Sequence, residues 1–244
     1  MPRYLDFDVV EAARHHAMKQ YPNESCGAVT EAGYIPLENR SAKPTEAFDC
    51  NEAIGPLLIS GELLALIHSH PDGPDSPSER DMAQQIAHDI PWGIVVCSKT
   101  AAAPPWFWGP GIAMPPLLER DFRYGPSGSD QRGDCAALVR DWYRVYRGIE
   151  IPEFPRSRSC WVGHPNLYRD NLLAAGFTRM SGVLTMQEPL VGDVFLMAIR
   201  SRSPNHIALY SGRGLILHHL ENKLSRAEPF GAYQQFVTDV FRHE

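Results

Sequence analysis

Near the middle of this 244-residue chain, the uncharged stretch from Thr100 to Leu118 carries Pro104, Pro105, Pro110, Pro115 and Pro116. A membrane span needs about 20 consecutive apolar residues in one helix. Prolines remove backbone donors and break helices, and Gly109 and Gly111 loosen the run further, so it predicts an extended linker rather than a span. A linker at that position separates residues 1–110 from 119–244, with 111–118 as the connection. Each half then has about the 100 to 150 residues that close a core of their own.

In the first half, Val9, Val10, Ala13 and Ala17 fall on helical spacing over residues 8–20. Asp8 is the candidate N-cap and Pro22 the stop. Apolar runs at Gly27–Val29, Leu64–Ile67 and Gly93–Cys97 predict strands, with a helix over Glu79–His88 between the last two. This half is expected to be a mixed α/β domain.

The segment LIHSHPDGPDSPSERD sets His68 and His70 two apart at the end of an apolar run. On a strand that spacing points both imidazoles to one face. Pro71 ends the strand, and Asp81 follows in the first turn of the next helix. Two histidines and a carboxylate leave one tetrahedral position open for water, as in a catalytic rather than a structural zinc site. Glu24 is the candidate general base, and Ser78 the candidate donor to a developing oxyanion. Ser78 and Asp81 also spell an S-x-x-D capping box, which by itself only starts a helix.

Taken together, His68-Ser69-His70-Pro71 followed by Pro77, Ser78 and Asp81 resembles the JAMM motif of MPN-type metallopeptidases, and Glu24-Ser25-Cys26-Gly27 resembles the glutamate segment of that family. The resemblance covers roughly residues 1 to 110. It implies Zn2+ as cofactor, His68, His70 and Asp81 as ligands, Glu24 as base and Ser78 as oxyanion donor, with Cys26-Gly27 as a packing position.

In the second half, Leu138, Val139, Trp142 and Tyr146 form one stripe of a helix over Ala136–Arg147, stopped by Gly148. A second helix is expected over Asn166–Ala175, then strands at Val194–Ile199, His206–Tyr210 and Leu215–His219 around the turn Ser211-Gly212-Arg213-Gly214. Helices first and strands later predict an α+β domain. Asp134 as N-cap sets Cys135 at the start of the first helix, where free N–H groups and the positive dipole end favour a thiolate. His206 is the candidate base, and His218 or its neighbour His219 the group that orients it. Strand parity does not choose between the last two.

Asp134-Cys135 opening a helix, Gly192-Asp193 before an apolar strand, then His206-Ile207-Ala208-Leu209-Tyr210 and Ile216-Leu217-His218, resemble NlpC-type papain-like peptidases in order and spacing. That resemblance implies Cys135 as nucleophile, His206 as base and His218 as the orienting residue, with Tyr124 on the oxyanion side. The family usually has Asp-Cys-Ser-Gly where this chain has Asp134-Cys135-Ala136-Ala137, so a hydroxyl beside the nucleophile is missing.

The two modules in this order resemble the tail assembly proteins of lambda-like siphophages, and imply a tail-tip protein that opens peptidoglycan peptides among other tail-tip partners. The expected alternatives are a structural assembly factor whose sites stabilise the fold or clip a tail protein, and a bacterial isopeptidase acting on a ubiquitin-like modifier. A net charge of −6 without charge runs gives no footprint for nucleic acid, and no segment predicts membrane insertion. The five cysteines at 26, 50, 97, 135 and 160 are odd in number and scattered, against a disulfide framework. The first residues, MPRYLDFDVVEAARHH, lack the apolar core of a secretory signal, so assembly in a host cytoplasm and residence in the virion tail are expected.

Overall fold

The computed structural model describes residues 2–158, 160–180 and 189–243. Two compact units emerge: residues 1–113 with 128–130, and residues 114–127 with 131–244.

The first unit runs α1 (Phe7–Gln20), β1 (Cys26–Thr30), β2 (Gly33–Leu37), α2 (Asn51–Ser60), β3 (Ala65–Pro71), α3 (Glu79–His88), β4 (Trp92–Cys97) and β5 (Trp106–Trp108). Its sheet has the order β2-β1-β3-β4-β5, antiparallel except for the parallel β3–β4 pair that α3 connects. Both faces of the sheet are covered, which is why β1, β3 and β4 read as nearly continuous apolar runs. On one face Val29, Ala65, Ile67 and Val95 pack with Val9, Ala13 and Ala17 of α1. On the other, Ala28, Leu66, Trp92 and Ile94 pack with Phe48 and with Ile54 of α2.

Several expectations are corrected here. Asp6, not Asp8, stands at the N-cap of α1, and Asp8 lies in the first turn, where it meets the Arg3 guanidinium at 2.9 Å. The Pro-rich stretch is not one free connection. Trp106–Trp108 forms the edge strand β5, while the carbonyls of Pro115 and Pro116 accept from the buried Arg120 at 2.8 and 3.0 Å in the second unit. The aromatic side chains have a core to join, and that outweighs the flanking prolines. β2 and α2 had no sequence signal because each contains a proline, Pro36 and Pro56. β2 tolerates Pro36 as an edge strand, where one donor fewer costs little.

The second unit contains β6 (Asp121–Phe122), β7 (Arg132–Gly133), α4 (Cys135–Arg147), α5 (Cys160–Gly163), α6 (Leu167–Ala174), β8 (Phe177–Arg179), β9 (Val194–Met197), β10 (His206–Gly212), β11 (Leu215–His218), β12 (Arg226–Pro229) and β13 (Val237–His243). Six strands form a sheet of order β12-β11-β10-β9-β13-β8, paired antiparallel throughout. The apolar stripe of α4, with Leu138, Val139 and Trp142, packs on Val194, Leu196, Ile207, Leu209 and Leu217. Phe195, Met197, Ala208, Ile216 and Val240 build a separate cluster, against which Phe230 and Tyr233 pack. Gly148 ends α4 in the left-handed conformation, φ +66°, as a glycine stop does. The strand predicted to Ile199 ends at Met197, and the helix predicted over 166–175 covers Leu167–Ala174.

Candidate active sites

In the first unit the site sits at the carboxyl end of β3, where the chain turns into α3. Ligands bind at the carboxyl ends of strands in open α/β sheets because loops and helix N-termini converge there. Alternation along β3 sends Ile67 towards α1 and places His68 among Phe48, Trp92 and Trp108, with Phe48 at 4.7 Å between ring centroids. His70 shares that side, and its Nε2 lies 3.1 Å from His68 Nε2.

Asp81 is brought to the pair by the start of α3. Ser78 caps the helix: its Oγ accepts from Asp81 N at 3.1 Å, and Asp81 Oδ2 accepts from Ser78 N at 2.7 Å. The carboxylate oxygens then stand 3.6 Å from His68 Nε2 and 3.5 Å from His70 Nε2. All three residues are buried, and they form the cluster with metal-ligating geometry among the described residues.

These donors fit a metal ion. His70 Nδ1 lies 2.7 Å from the Pro74 carbonyl, to which it must donate, so its Nε2 presents a lone pair. That lone pair faces His68 Nε2 at a distance that repels unless a proton or a cation lies between them. The separations of 3.1, 3.5 and 3.6 Å match the edge of about 3.4 Å in a tetrahedron with bonds near 2.1 Å. Burial pushes His68 down and so keeps it neutral; His70 is also penalised by burial, but the Asp81 carboxylate outweighs this and raises it. Burial works against the charge on Asp81 too, and the two imidazoles hold its carboxyl well below the usual range.

Glu24 reaches this site through strand register. Cys26 pairs with His68 across β1 and β3, and the bonds Ser25 N to Ser69 Oγ (2.8 Å) and Ser69 N to Ser25 O (3.0 Å) continue the pairing, which sets Glu24 opposite His70. Its carboxyl is pushed up to about 7, chiefly by burial and further by Asp81, with His70 opposing. A group at that value is matched to proton transfer near neutral pH. Gly27 is a packing position: a Cβ there would stand 2.3 Å from the Tyr34 ring. Ser78 Oγ gives its proton to Asp81 Oδ2 at 2.7 Å, so in this state its hydroxyl is committed to the helix cap.

In the second unit Asp134 caps α4, accepting from Ala137 N at 2.9 Å, from Gly125 N at 2.9 Å and from the buried Arg156 at 2.6 and 2.9 Å. Burial opposes its charge, and Arg156 outweighs burial, holding the carboxyl below its usual value. Cys135 follows as the first residue of the helix. The expected acidic thiol does not appear. Burial, aided by the neighbouring Asp134 charge, pushes it up to about 12.

His206 and His218 are brought together, with Nε2 of the first 3.3 Å from Nδ1 of the second. His218 pairs with Ala208 across β10 and β11, so His206 lies diagonally across from it. Burial pushes His206 down to about 3. His219 turns instead to Phe122, 5.1 Å between centroids. Among the described residues no hydrogen bond joins Cys135 Sγ to His206. The groups that favour the thiolate are the Ile207 backbone, the Arg156 charge and the Tyr168 hydroxyl. Tyr124 is half-buried, pushed up first by burial and then by Glu221, and it also feels the Cys135 charge.

Two residues at this site escaped the sequence reading. Tyr168 sits in α6 on apolar spacing and reads as core. Glu228, on the edge strand β12, meets His218 Nε2 at 2.7 Å. A histidine followed ten residues later by a carboxylate gives no local signal.

Residues 119–242 match the NlpC/P60 family, and residues 7–109 match the prokaryotic homologs of the JAB domain. The two halves are therefore peptidase-family modules in the order the motifs imply. Over 240 residues the chain is 33% identical to the tail tip assembly protein K of Escherichia phage N15, spanning 93% of this chain and 90% of that protein. Over 186 residues it is 37% identical to the tail tip assembly protein K of Escherichia phage lambda, spanning 76% of this chain and 84% of that one. The chain belongs to the family of these tail tip assembly proteins. Among solved structures, NlpC2 from Trichomonas vaginalis aligns with a TM-score of 0.35 and 22% identity over 52% of this chain and 42% of that one. Among the described residues no helix is long and apolar enough to cross a membrane.

Proposed function

We propose that this chain is a phage tail-tip protein, assembled in the host cytoplasm and carried in the virion, that hydrolyses peptide bonds of peptidoglycan during tail assembly or infection. The observation that carries the reading is the presence, in one chain, of a buried His68-His70-Asp81 donor set and of Cys135 at a helix start beside the strand that holds His206.

In the first half His68, His70 and Asp81 would hold Zn2+, which when bound would supply Lewis-acid polarisation of a scissile carbonyl and a nucleophile at neutral pH. Glu24 takes a proton from the attacking group and returns it to the leaving amine. Ser78 turns its hydroxyl from Asp81 to the developing oxyanion. In the second half Cys135 attacks the carbonyl of a stem peptide, His206 takes the thiol proton and delivers it to the leaving amine as the C–N bond breaks, water then hydrolyses the acyl thioester with His206 as base and returns the free thiol, and His218 holds the His206 ring. Because burial pushes the thiol up to about 12 and no hydrogen bond joins it to His206 among the described residues, substrate must first bring thiol and ring together. Catalytic hydrogen bonds often tighten only in the substrate complex.

The test is incubation of the purified protein with peptidoglycan and identification of released fragments by mass spectrometry. Stem-peptide fragments from wild type, absent with Cys135→Ala, support the reading; no release by wild type overturns it. A second reading, an assembly factor whose second unit is structural, is favoured by the same buried, protonated Cys135 and by Ala136 in place of the usual serine. The other tail-tip proteins are its partners in either case.

A further inference from the structure

We infer that Glu228 is a positioning residue of the cysteine site: bonded to His218 Nε2 and anchored by Arg226 and Tyr233, it sets the tautomers of His218 and His206 in sequence and leaves His206 Nδ1 as the basic nitrogen. This assignment rests on the role proposed above for His206.

The geometry runs across three strands. Glu228 Oε2 lies 2.7 Å from His218 Nε2 and also accepts from the Tyr233 hydroxyl, and Oε1 lies 3.0 Å from Arg226 Nη2. Tyr233 packs edge-on to the His218 ring, 4.6 Å between centroids. The other two partners of the carboxylate, the Tyr233 hydroxyl and the Arg226 guanidinium, both donate to it. An ionised carboxylate only accepts, so His218 must carry its proton on Nε2 and present a bare Nδ1. That Nδ1 lies 3.3 Å from His206 Nε2, which must then be the protonated nitrogen of His206. The lone pair left on His206 is at Nδ1. Burial keeps both rings neutral, so each has one proton to place, and the order of placement starts at Glu228. The carboxylate itself stays ionised: burial opposes this, and Tyr233 and His218 outweigh it.

Glu228→Gln in a Tyr233→Phe background tests the relay because the amide is isosteric with the carboxylate and no tyrosine hydroxyl then donates to the Oε2 place. Arg226 offers only donors, so the amide oxygen takes the Oε1 place and the NH2 group the Oε2 place, facing His218 Nε2. His218 must then accept at Nε2 and carry its proton on Nδ1, and His206 must do the same. Long-range 1H–15N correlation spectra of the full chain labelled on histidine read the tautomers directly, with His206→Gln and His218→Gln used to assign the rings. Wild type and Tyr233→Phe are expected to show Nε2–H on both rings, and Glu228→Gln/Tyr233→Phe Nδ1–H on both. Adding Arg226→Gln frees the amide to turn its oxygen to His218, so the triple variant is expected to return to Nε2–H. Nε2–H on both rings in Glu228→Gln/Tyr233→Phe overturns the assignment, as does a wild type with Nδ1–H on His206. The spectra need no substrate. A relay that flips as described in a protein that releases no peptidoglycan fragments supports this inference and counts against the cleavage reading alone.

Discussion

The two candidate sites differ in how much of their geometry is complete within the polypeptide. At the β3–α3 junction the groups from His68 to Asp81 lie close in sequence, and each is oriented by a bond that the local backbone supplies: Pro74 for His70, the Ser78 cap for Asp81. At the cysteine site the nucleophile and the histidines come from distant segments. Each part is organised, Cys135 by Asp134 and Arg156, His218 by Glu228, but among the described residues no hydrogen bond joins the thiol to the histidines. A site built on one strand and the next helix is completed by folding itself, whereas one assembled from remote segments leaves its last contact to the substrate.

The largest expected effect falls on the metal. His70→Ala or Asp81→Ala is expected to reduce bound zinc from one per chain to none, by metal analysis of dialysed protein. Wild-type-like zinc in either variant would break the contrast at its stronger end. Next, Glu24→Gln should retain zinc and lose about 10² to 10⁴ in turnover on any substrate of the first unit. Full activity would show that the carboxylate merely packs.

The thiol gives a subtler difference. With its value pushed up to about 12, Cys135 should be alkylated slowly at pH 7, and the rate should climb about tenfold per pH unit through pH 10 without a plateau, as the thiolate fraction grows. Iodoacetamide labelling with peptide mapping reads this. A plateau near neutral pH would reveal a thiolate–imidazolium pair already formed in the free protein and would erase the distinction between the two sites. The smallest effect is that of Ser78→Ala. Loss of the cap is expected to cost about 1 kcal/mol of stability by denaturant titration. An additional loss of roughly 10²-fold in turnover would identify the hydroxyl as an oxyanion donor as well.

What could be read in advance follows the same division. His68 and His70 on one face, Asp81 in the first turn and the Ser78 cap all rest on periodicity and capping, which act over a few residues. The Asp134 cap and the α4 stripe were legible for that reason. Glu24 needed the β1–β3 register to be placed opposite His70, although its motif marked it. The high thiol value was not legible, since dipole and N–H groups are local while burial under α6 and β10 is tertiary. Nor was Glu228, whose partner lies on another strand. β5 was hidden because the prolines around Trp106–Trp108 speak against a strand and the core that recruits the tryptophans is not in the local sequence.

The anchoring of Arg120 has a consequence for proteolysis. Between Lys99 and Arg132 the only basic residues are Arg120 and Arg123. Both are buried, Arg120 with its guanidinium spent on Pro115, Pro116, Ser127 and Asp141, and Arg123 on the carbonyls of Tyr124 and Pro126. A trypsin-like protease therefore finds no presented side chain in this stretch, and nicking in native conditions should begin at exposed basic residues such as Lys99 rather than inside the proline-rich segment. The segment that looks most like a tether in the sequence is, to such an enzyme, closed.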